Sequence, residues 1–407
     1  MHAHRLVWLM GSLACAAPPP PATTAQVRPG IEVLLADSAH LVASRRLGLL
    51  TNHTGVDRQG RRDVDVLLAN GQRLTALFSP EHGFRGTEDR EGLPDAVDSA
   101  TGLPIYSLYG GSRAAARAAL DSVDVLLIDL QDIGARYYTY IATATSLMRD
   151  AAQARKRVIV LDRPDPVGGG EVQGNVRARV EDPDSALVGF LPVAMRHGMT
   201  LGELARMAND VLRIGADLVV VPAAGWQRAT LYDRTGLPWV KPSPNMPDLE
   251  SALHYPGTCL FEGTNLSVGR GTGFAFQVIG APWLDADAVR RRLPAAALEG
   301  VEATAMTFTP RAPTDRKYDG VALRGLRLHV TEPQRYDPTR LAVALLAAVR
   351  EVHPTAFQFR SESFDRLAAG PELRRALEAG RPAREIWRAW DEDLLRFRAV
   401  RAKYLLY

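Results

Sequence analysis

Apolar runs of four or five residues recur along the first half of the chain, and each gives way at once to polar, reactive side chains. Leu47-Gly48-Leu49-Leu50 runs into Thr51-Asn52-His53, and Leu74-Thr75-Ala76-Leu77-Phe78 into Ser79-Pro80-Glu81-His82-Gly83. Val125-Leu126-Leu127-Ile128 runs into Asp129-Leu130-Gln131-Asp132, and Val158-Ile159-Val160-Leu161 into Asp162-Arg163-Pro164. Leu218-Val219-Val220-Val221, ahead of Pro222 and Gly225-Trp226, is a weaker copy. Short apolar runs bounded by turn residues read as buried strands. Between them, Ala114 to Leu120, Tyr138 to Arg155 and Leu201 to Ile214 carry helical periodicity, and Thr200 with Glu203 forms a capping box. Strands alternating with helices predict an α/β domain over residues 27–245, a parallel sheet covered on both faces. The C-terminal strand ends of such a sheet share one edge, where ligands bind. The pattern therefore predicts a polar pocket before any motif is considered.

The pattern breaks between residues 241 and 283. Lys241-Pro242-Ser243-Pro244-Asn245-Met246-Pro247 excludes helix and central strand. With Tyr255-Pro256-Gly257 and Gly269-Arg270-Gly271-Thr272-Gly273 it reads as a long loop system, either functional or an interdomain linker. Residues 246–407 read as a smaller α+β domain. Glu302 to Thr309 and Val321 to Val330 alternate as strands, and Arg340 to Val352 is helical. Ile386, Trp390, Leu394, Phe397 and Val400 recur at helical spacing in a final helix and predict a core stripe.

Composition narrows the setting. The 407 residues suffice for two cores, and 46% hydrophobic with 23% charged residues is ordinary for a soluble protein. A formal charge of +3 with scattered arginines argues against a nucleic-acid partner. Leu6 to Ala17, behind His2, His4 and Arg5, is too short to span a bilayer and reads as an export signal within residues 1–26. Ser12-Leu13-Ala14-Cys15 partly matches a lipoprotein box, which would put a lipid anchor on Cys15 and make Pro18 to Pro21 a stiff tether. Cleavage near Ala25 is the alternative. The expectation is an exported protein, periplasmic or lipid-anchored at the envelope, with no further transmembrane segment. Cys15 and Cys259 are the only cysteines, so no disulfide framework or cysteine metal site is available.

The candidate chemistry gathers at the strand ends. Glu81 beside His82 is a candidate general acid, provided an apolar lid raises its pKa; capping the following helix is the alternative role. His82 reads equally as catalytic or as a structural hydrogen-bonding residue. Asp129 and Asp132 are placed to bind sugar hydroxyls or a cation, with Gln131 and Arg136 beside them. Of Tyr137, Tyr138 and Tyr140, one ring is expected to stack on a sugar face and the others to pack on the sheet. His82, Asp129, Asp132 and Asp162 would be the set for a metal, but no His-x-x-x-His or Glu-x-x-His pairing accompanies them. No metal and no cofactor are expected. The glycine-rich loop lacks the spacing for dinucleotides; Arg270 within it would grip a carboxylate. No Gly-x-Ser-x-Gly elbow is present.

Taken in order, several motifs resemble one family. They are Ser-Pro-Glu-His-Gly at 79–83, Asp-Leu-Gln-Asp-Ile-Gly-Ala-Arg-Tyr-Tyr-Thr-Tyr at 129–140 and Asp-Arg-Pro at 162–164. Arg196-His197-Gly198-Met199-Thr200, Pro242-Ser243-Pro244-Asn245, Tyr255-Pro256-Gly257-Thr258, Ser267-Val268-Gly269-Arg270-Gly271-Thr272 and Gly280-Ala281-Pro282-Trp283 continue the match. The chain resembles the NamZ-like exo-β-N-acetylmuramidases, glycoside hydrolase family 171, from about Gly30 to its C-terminus. The resemblance implies a Rossmann-like doubly wound parallel sheet domain, a smaller C-terminal α+β domain and an active site in the cleft between them. It implies export, release of terminal N-acetylmuramic acid from the non-reducing end of peptidoglycan glycans, and Glu81 as the catalytic glutamate. Two positions depart from the family pattern. Phe274-Ala275-Phe276-Gln277 stands where a Pro-Phe-Glu is usual, so no acidic role is carried over there, and Asp165 replaces a usual asparagine.

The implied sugar carries a lactyl carboxylate, for which Arg270 is the first choice of clamp and Arg85 or Arg136 the alternatives. Asn52, His53 and Asn245 would orient hydroxyls or the acetamide, and Asp162, Arg163, Asn265 and Tyr318 complete the binding set. Glu262, Asp129 or Asp132 would supply the second catalytic group. A metal-dependent hydrolase of another cell-wall bond and a non-catalytic muropeptide-binding protein are the rival functions.

Overall fold

The computed structural model describes residues 26–88 and 92–407. The expected export signal, save its last residue, and Cys15 lie outside the described residues. The central sheet begins with β1 (Arg46–Thr51), β2 (Arg73–Ser79), β3 (Ala96–Val97), β4 (Pro104–Ser107), β5 (Val125–Asp129) and β6 (Arg157–Leu161). A two-stranded ribbon follows, β7 (Gln173–Val176) with β8 (Ala194–Arg196), and then β9 (Leu218–Val221) closes the sheet. The order is β3-β4-β2-β1-β5-β6-β9, parallel throughout except where β3 meets β4.

Side chains alternate between the two faces because the strand period is two. Leu47, Leu49, Val125, Leu127, Ile159 and Leu161 pack under the helices Gly30–Asp37 and Asp63–Ala69. Leu50, Phe78, Leu126, Ile128, Val158 and Val160 face the helices Tyr140–Gln153 and Leu201–Val211 on the other side. Both faces are thus covered, as the unbroken apolar runs require. The capping box is present: Thr200 Oγ1 accepts from Glu203 N, and Glu203 accepts from Thr200 N at 3.1 Å.

A second, antiparallel sheet of β10 (Val278–Ala281), β11 (Val301–Phe308) and β12 (Leu323–Val330) meets the helices Leu249–Thr258 and Ala286–Arg290, against which the helix Pro338–Val352 packs. Its core is continuous with the second face of the central sheet. The expected loop over 241–283 is only partly a loop. Leu249–Thr258 is a helix capped by Asp248, whose side chain accepts from Ser251 N at 2.8 Å. Pro256 is accommodated in its last turn, and Gly257 is required because a Cβ there would lie 1.9 Å from Pro338 O. The expected final helix is two, Ala383–Arg388 and Asp391–Arg401, with Trp390 at the break. Ile386 and Phe397 are buried as the stripe requires, whereas Val400 is 38% exposed. Among the described residues no helix is long and apolar enough to cross a membrane.

The chain end folds back onto the first sheet. Asp162, fully buried after β6, accepts from Thr200 Oγ1 at 2.6 Å, Gly202 N at 2.8 Å and Tyr407 OH at 2.8 Å. The Tyr407 oxygen in turn accepts from Ala223 N at 2.8 Å. Tyr407→Phe removes both bonds while keeping the ring. The expected loss is about 2 kcal/mol, read as a melting temperature lower by a few degrees. An unchanged melting temperature would show that water replaces the hydroxyl.

Candidate active site

β2 ends at Ser79, and the next residues turn sharply. His82 and Gly83 are both left-handed, with φ of 66° and 72°. The sequence places the turn at Gly83; it begins one residue earlier, on a side chain that disfavours this conformation. Backbone bonds hold it there: Gly83 N to Pro80 O at 3.1 Å and Glu88 N to His82 O at 3.3 Å. His82 Nδ1 reaches Glu88 O at 2.7 Å. Glu81, just before the turn, is half-buried, and Thr139 Oγ1 donates to its Oε2 at 2.5 Å. Aromatic rings line one side of it, and the other side is open to a cleft. His53 supports the same loop from β1. Its Nε2 lies 2.6 Å from Lys241 O, and its ring fills the space beside Gly86, where a Cβ would come within 1.8 Å of it. Burial lowers the pKa of His53, so its neutral ring donates to that carbonyl.

Glu81 lines a cavity of about 180 Å³ with His82, Tyr138, Tyr140, Tyr255, Glu262, Arg270 and Phe276. The walls are aromatic: Tyr138 meets Tyr140 edge-on at 4.8 Å, and Tyr255 meets Phe276 at 4.7 Å. The Tyr140 hydroxyl donates to Pro242 O at 2.5 Å, whereas that of Tyr138 is buried without a hydrogen-bond partner. Phe276 has φ of 64°, a second strained residue in the same pocket. Glu262 lies on the short turn after the helix Leu249–Thr258. Arg270 Nε donates to its Oε1 at 2.5 Å and stacks over Phe276 at 5.2 Å. Lys317 fastens the turn, donating to the carbonyls of Phe261, Glu262 and Leu266 at 3.3, 3.2 and 2.9 Å. Burial pushes its pKa down to about 8. Glu81 and Thr139 also line a second, larger cleft of about 1150 Å³. The glutamate therefore stands between a small aromatic pocket and a wide opening.

Of the residues expected from sequence, Glu81, His82, Glu262, Arg270 and Tyr137 meet in the small cavity. Arg270 is not an open clamp, because its Nε is committed to Glu262 and its Nη1 to Thr314 Oγ1 at 3.3 Å. Tyr137 is partly structural, donating to Pro256 O at 3.2 Å. The remainder form the frame. Asp129 is ion-paired with Arg163, both buried. Asp162 holds Thr200 and Tyr407, as above. Arg136 is buried and donates to Asn175 O and Leu367 O at 2.9 Å each, a strut and not an anion site. Arg85 is exposed and directed to Ser99 Oγ at 3.2 Å. Gln131 donates to Asp132 O and Pro164 O. Asn52 accepts from Thr54 N at 2.9 Å. Asn265 donates to Ala356 O at 2.8 Å, and Tyr318 OH donates to Asn265 O at 2.7 Å. Asn245 lies two residues beyond Ser243, which does line the cavity. Among the described residues no three His, Cys, Asp or Glu side chains are grouped to hold a metal ion.

Gln277 explains one departure from the family pattern. It is buried, and its amide donates to Asp248 Oδ1 and Ser251 Oγ at 2.7 Å each. A neutral donor suits the cap of the helix Leu249–Thr258, where an ionised carboxylate would face Asp248. Sequence reasoning passed over Thr139 and Lys317. Thr139 sits inside the Arg-Tyr-Tyr-Thr-Tyr motif and was available there; Lys317 carries no local signal.

Comparisons with known proteins agree on one family. Residues 47–250 match the family model described as exo-beta-N-acetylmuramidase NamZ, N-terminal, and residues 253–407 match its C-terminal counterpart. A Bacillus subtilis (strain 168) relative, peptidoglycan beta-N-acetylmuramidase NamZ, is 39% identical over 385 residues, covering 94% of this chain and 92% of that one. Two crystal structures of DUF1343 family proteins from Bacteroides fragilis NCTC 9343 superpose with TM-scores of 0.84 and 0.75. They are 33% and 32% identical, each match covering 94% of this chain and 99% of the other.

Asp132 and Asp165 form a buried carboxyl pair. Asp132 accepts from Gly134 N at 2.8 Å, has a partnerless Oδ2 and has its pKa pushed up to about 7 by burial. Asp165 is raised by burial and by Asp132. A raised carboxyl stabilises the fold while protonated, and that contribution is lost as pH climbs through about 7. Relative to Asp132→Asn, the melting temperature of the wild type is expected to fall as pH rises from 5 to 8. Parallel pH profiles would show that Asp132 is ionised throughout.

Proposed function

The chain belongs to the NamZ exo-β-N-acetylmuramidase family, a family of glycoside hydrolases, and we propose that it removes terminal, non-reducing N-acetylmuramic acid from peptidoglycan fragments. Glu81 protonates the leaving glycosidic oxygen. The observation that carries this reading is the placing of Glu81 and Glu262 in one small aromatic pocket that adjoins a wide cleft at Glu81.

Glycoside hydrolysis of this type uses a pair of carboxyl groups flanking the scissile bond. Glu262 is the second group, held in place by Arg270 and by the Lys317 clamp on its turn. The tyrosine and phenylalanine rings offer apolar faces to one sugar, and the Tyr138 hydroxyl offers it a polar contact. Export is part of the proposal, supported by the apolar stretch Leu6 to Ala17, with Cys15 as its candidate lipid anchor.

The test is release of the chromophore from para-nitrophenyl β-N-acetylmuramide, with and without EDTA. Chelator-resistant release is expected. Glu81→Gln and Glu262→Gln should each lower turnover by about 10²–10⁴-fold while the melting temperature holds. A fully active Glu81→Gln would remove that residue from the mechanism, and loss of activity in EDTA would favour metal-dependent hydrolysis.

A second expectation concerns the support of the acid. Gly86→Ala forces His53 away from its site and strains a backbone with φ of 67°. Turnover should fall by about 10²-fold because the loop carrying Glu81 shifts. Wild-type turnover would show that His53 and Gly86 do not position it.

A further inference from the structure

The large cleft holds a charge pattern that the chemistry at Glu81 does not use. One wall is the segment after β7; the other is the C-terminal helical region. Arg179, on the first wall, and Arg366 and Arg381, on the second, are all exposed and line the cleft. Among the described residues none of the three has a carboxylate partner. The neighbouring acids are mostly taken: Glu181 pairs with Arg177, Asp365 with Arg374 and Asp393 with Arg396. Trp390, at the break between the last two helices, adds a half-buried indole to the same cleft.

We infer that this cleft binds the leaving part of the substrate and selects for carboxylates on it. The inference rests on the proposed muramidase reading and extends it to the far side of the scissile bond. The pocket of about 180 Å³ is much smaller than the cleft of about 1150 Å³ that it meets at Glu81, so the longer part of the substrate is assigned to the cleft. A guanidinium fork is suited to a carboxylate, and an indole to the apolar face of a pyranose. A peptidoglycan strand offers carboxylates from two sources beyond its first sugar. They are the lactyl groups of further muramyl residues, and stem peptides attached to those groups.

The experiment compares wild type with the combined Arg179→Ala, Arg366→Ala, Arg381→Ala variant. Four substrates are used: the chromogenic monosaccharide, the disaccharide, a peptide-free tetrasaccharide, and the same tetrasaccharide bearing stem peptides. Wild type should show a kcat/KM on a tetrasaccharide about fivefold above that on the disaccharide at low salt, the combined effect of a few exposed ion pairs. The advantage should shrink in about 0.5 M NaCl, where such pairs are screened. The variant should keep its melting temperature and its rate on the chromogenic substrate and lose the advantage. Trp390→Ala should lower it in both salt conditions. A gain on the peptide-free tetrasaccharide assigns the carboxylates to lactyl groups; a gain only with peptides assigns them to the stem. No advantage in wild type, or an equal one in the variant, overturns the inference while the muramidase reading stands. No chromogenic turnover by wild type overturns the reading beneath it.

Discussion

A guanidinium buried beyond the end of β6 sets the terms for the whole sheet edge. Arg163 donates to both oxygens of Asp129, to Val56 O at 2.7 Å, and lies 3.7 Å from Asp63 Oδ2. Two carboxyls and one cation would leave a net charge in the interior. Burial and the neighbouring Asp129 raise the pKa of Asp63 well above the usual carboxylate range, so Asp63 holds a proton and the cluster balances. At the ends of β5 and β6, Asp129 is spent on Arg163 and Asp162 on the start of the helix after Thr200. Only β2 sends its carboxylate outward. Glu81 is half-buried and reaches both the small cavity and the cleft, with Thr139 as its partner.

That outward placement is held from both halves of the chain. Tyr140 reaches Pro242 O, Tyr137 reaches Pro256 O and Arg136 reaches Leu367 O, all from the segment after β5. His53 reaches Lys241 O from β1. Pro256 and Leu367 lie in the last turns of helices, whose carbonyls have no partner within the helix, and Lys241 and Pro242 lie in the loop between the halves. The two halves consequently share one core and one pocket, and the left-handed His82 and Phe276 are tolerated within it.

The fold was largely legible from sequence because wholly apolar runs have few interpretations, and the strands at Leu47, Leu74, Val125 and Val158 stand where the pattern puts them. The helix Leu249–Thr258 was hidden by Pro256 and Gly257, residues that usually end helices but here serve a last turn and a close approach to Pro338. The pocket was legible only in part. Glu81 with its histidine and Glu262 are found together, yet Asp129, Asp162 and Arg136 are equally polar and equally placed at strand ends. What separates them is the partner each finds across the fold: Arg163, Tyr407 and Leu367 lie 34, 245 and 231 residues away in sequence. Spacing cannot show whether a charge will be spent internally.

On the proposed reading, the mode of attack follows from where the acid stands and not from any closing lid. A glutamate in the middle of a uniform groove would have sugars on both sides and would cut within a chain. Glu81 instead has a pocket of about 180 Å³ on one side and a cleft of about 1150 Å³ on the other. The only glycosidic bond that can cross that boundary joins a terminal sugar to everything behind it. On that reading Tyr140 and Phe276, as walls of the small pocket, would favour chain ends while Glu81 would supply the proton.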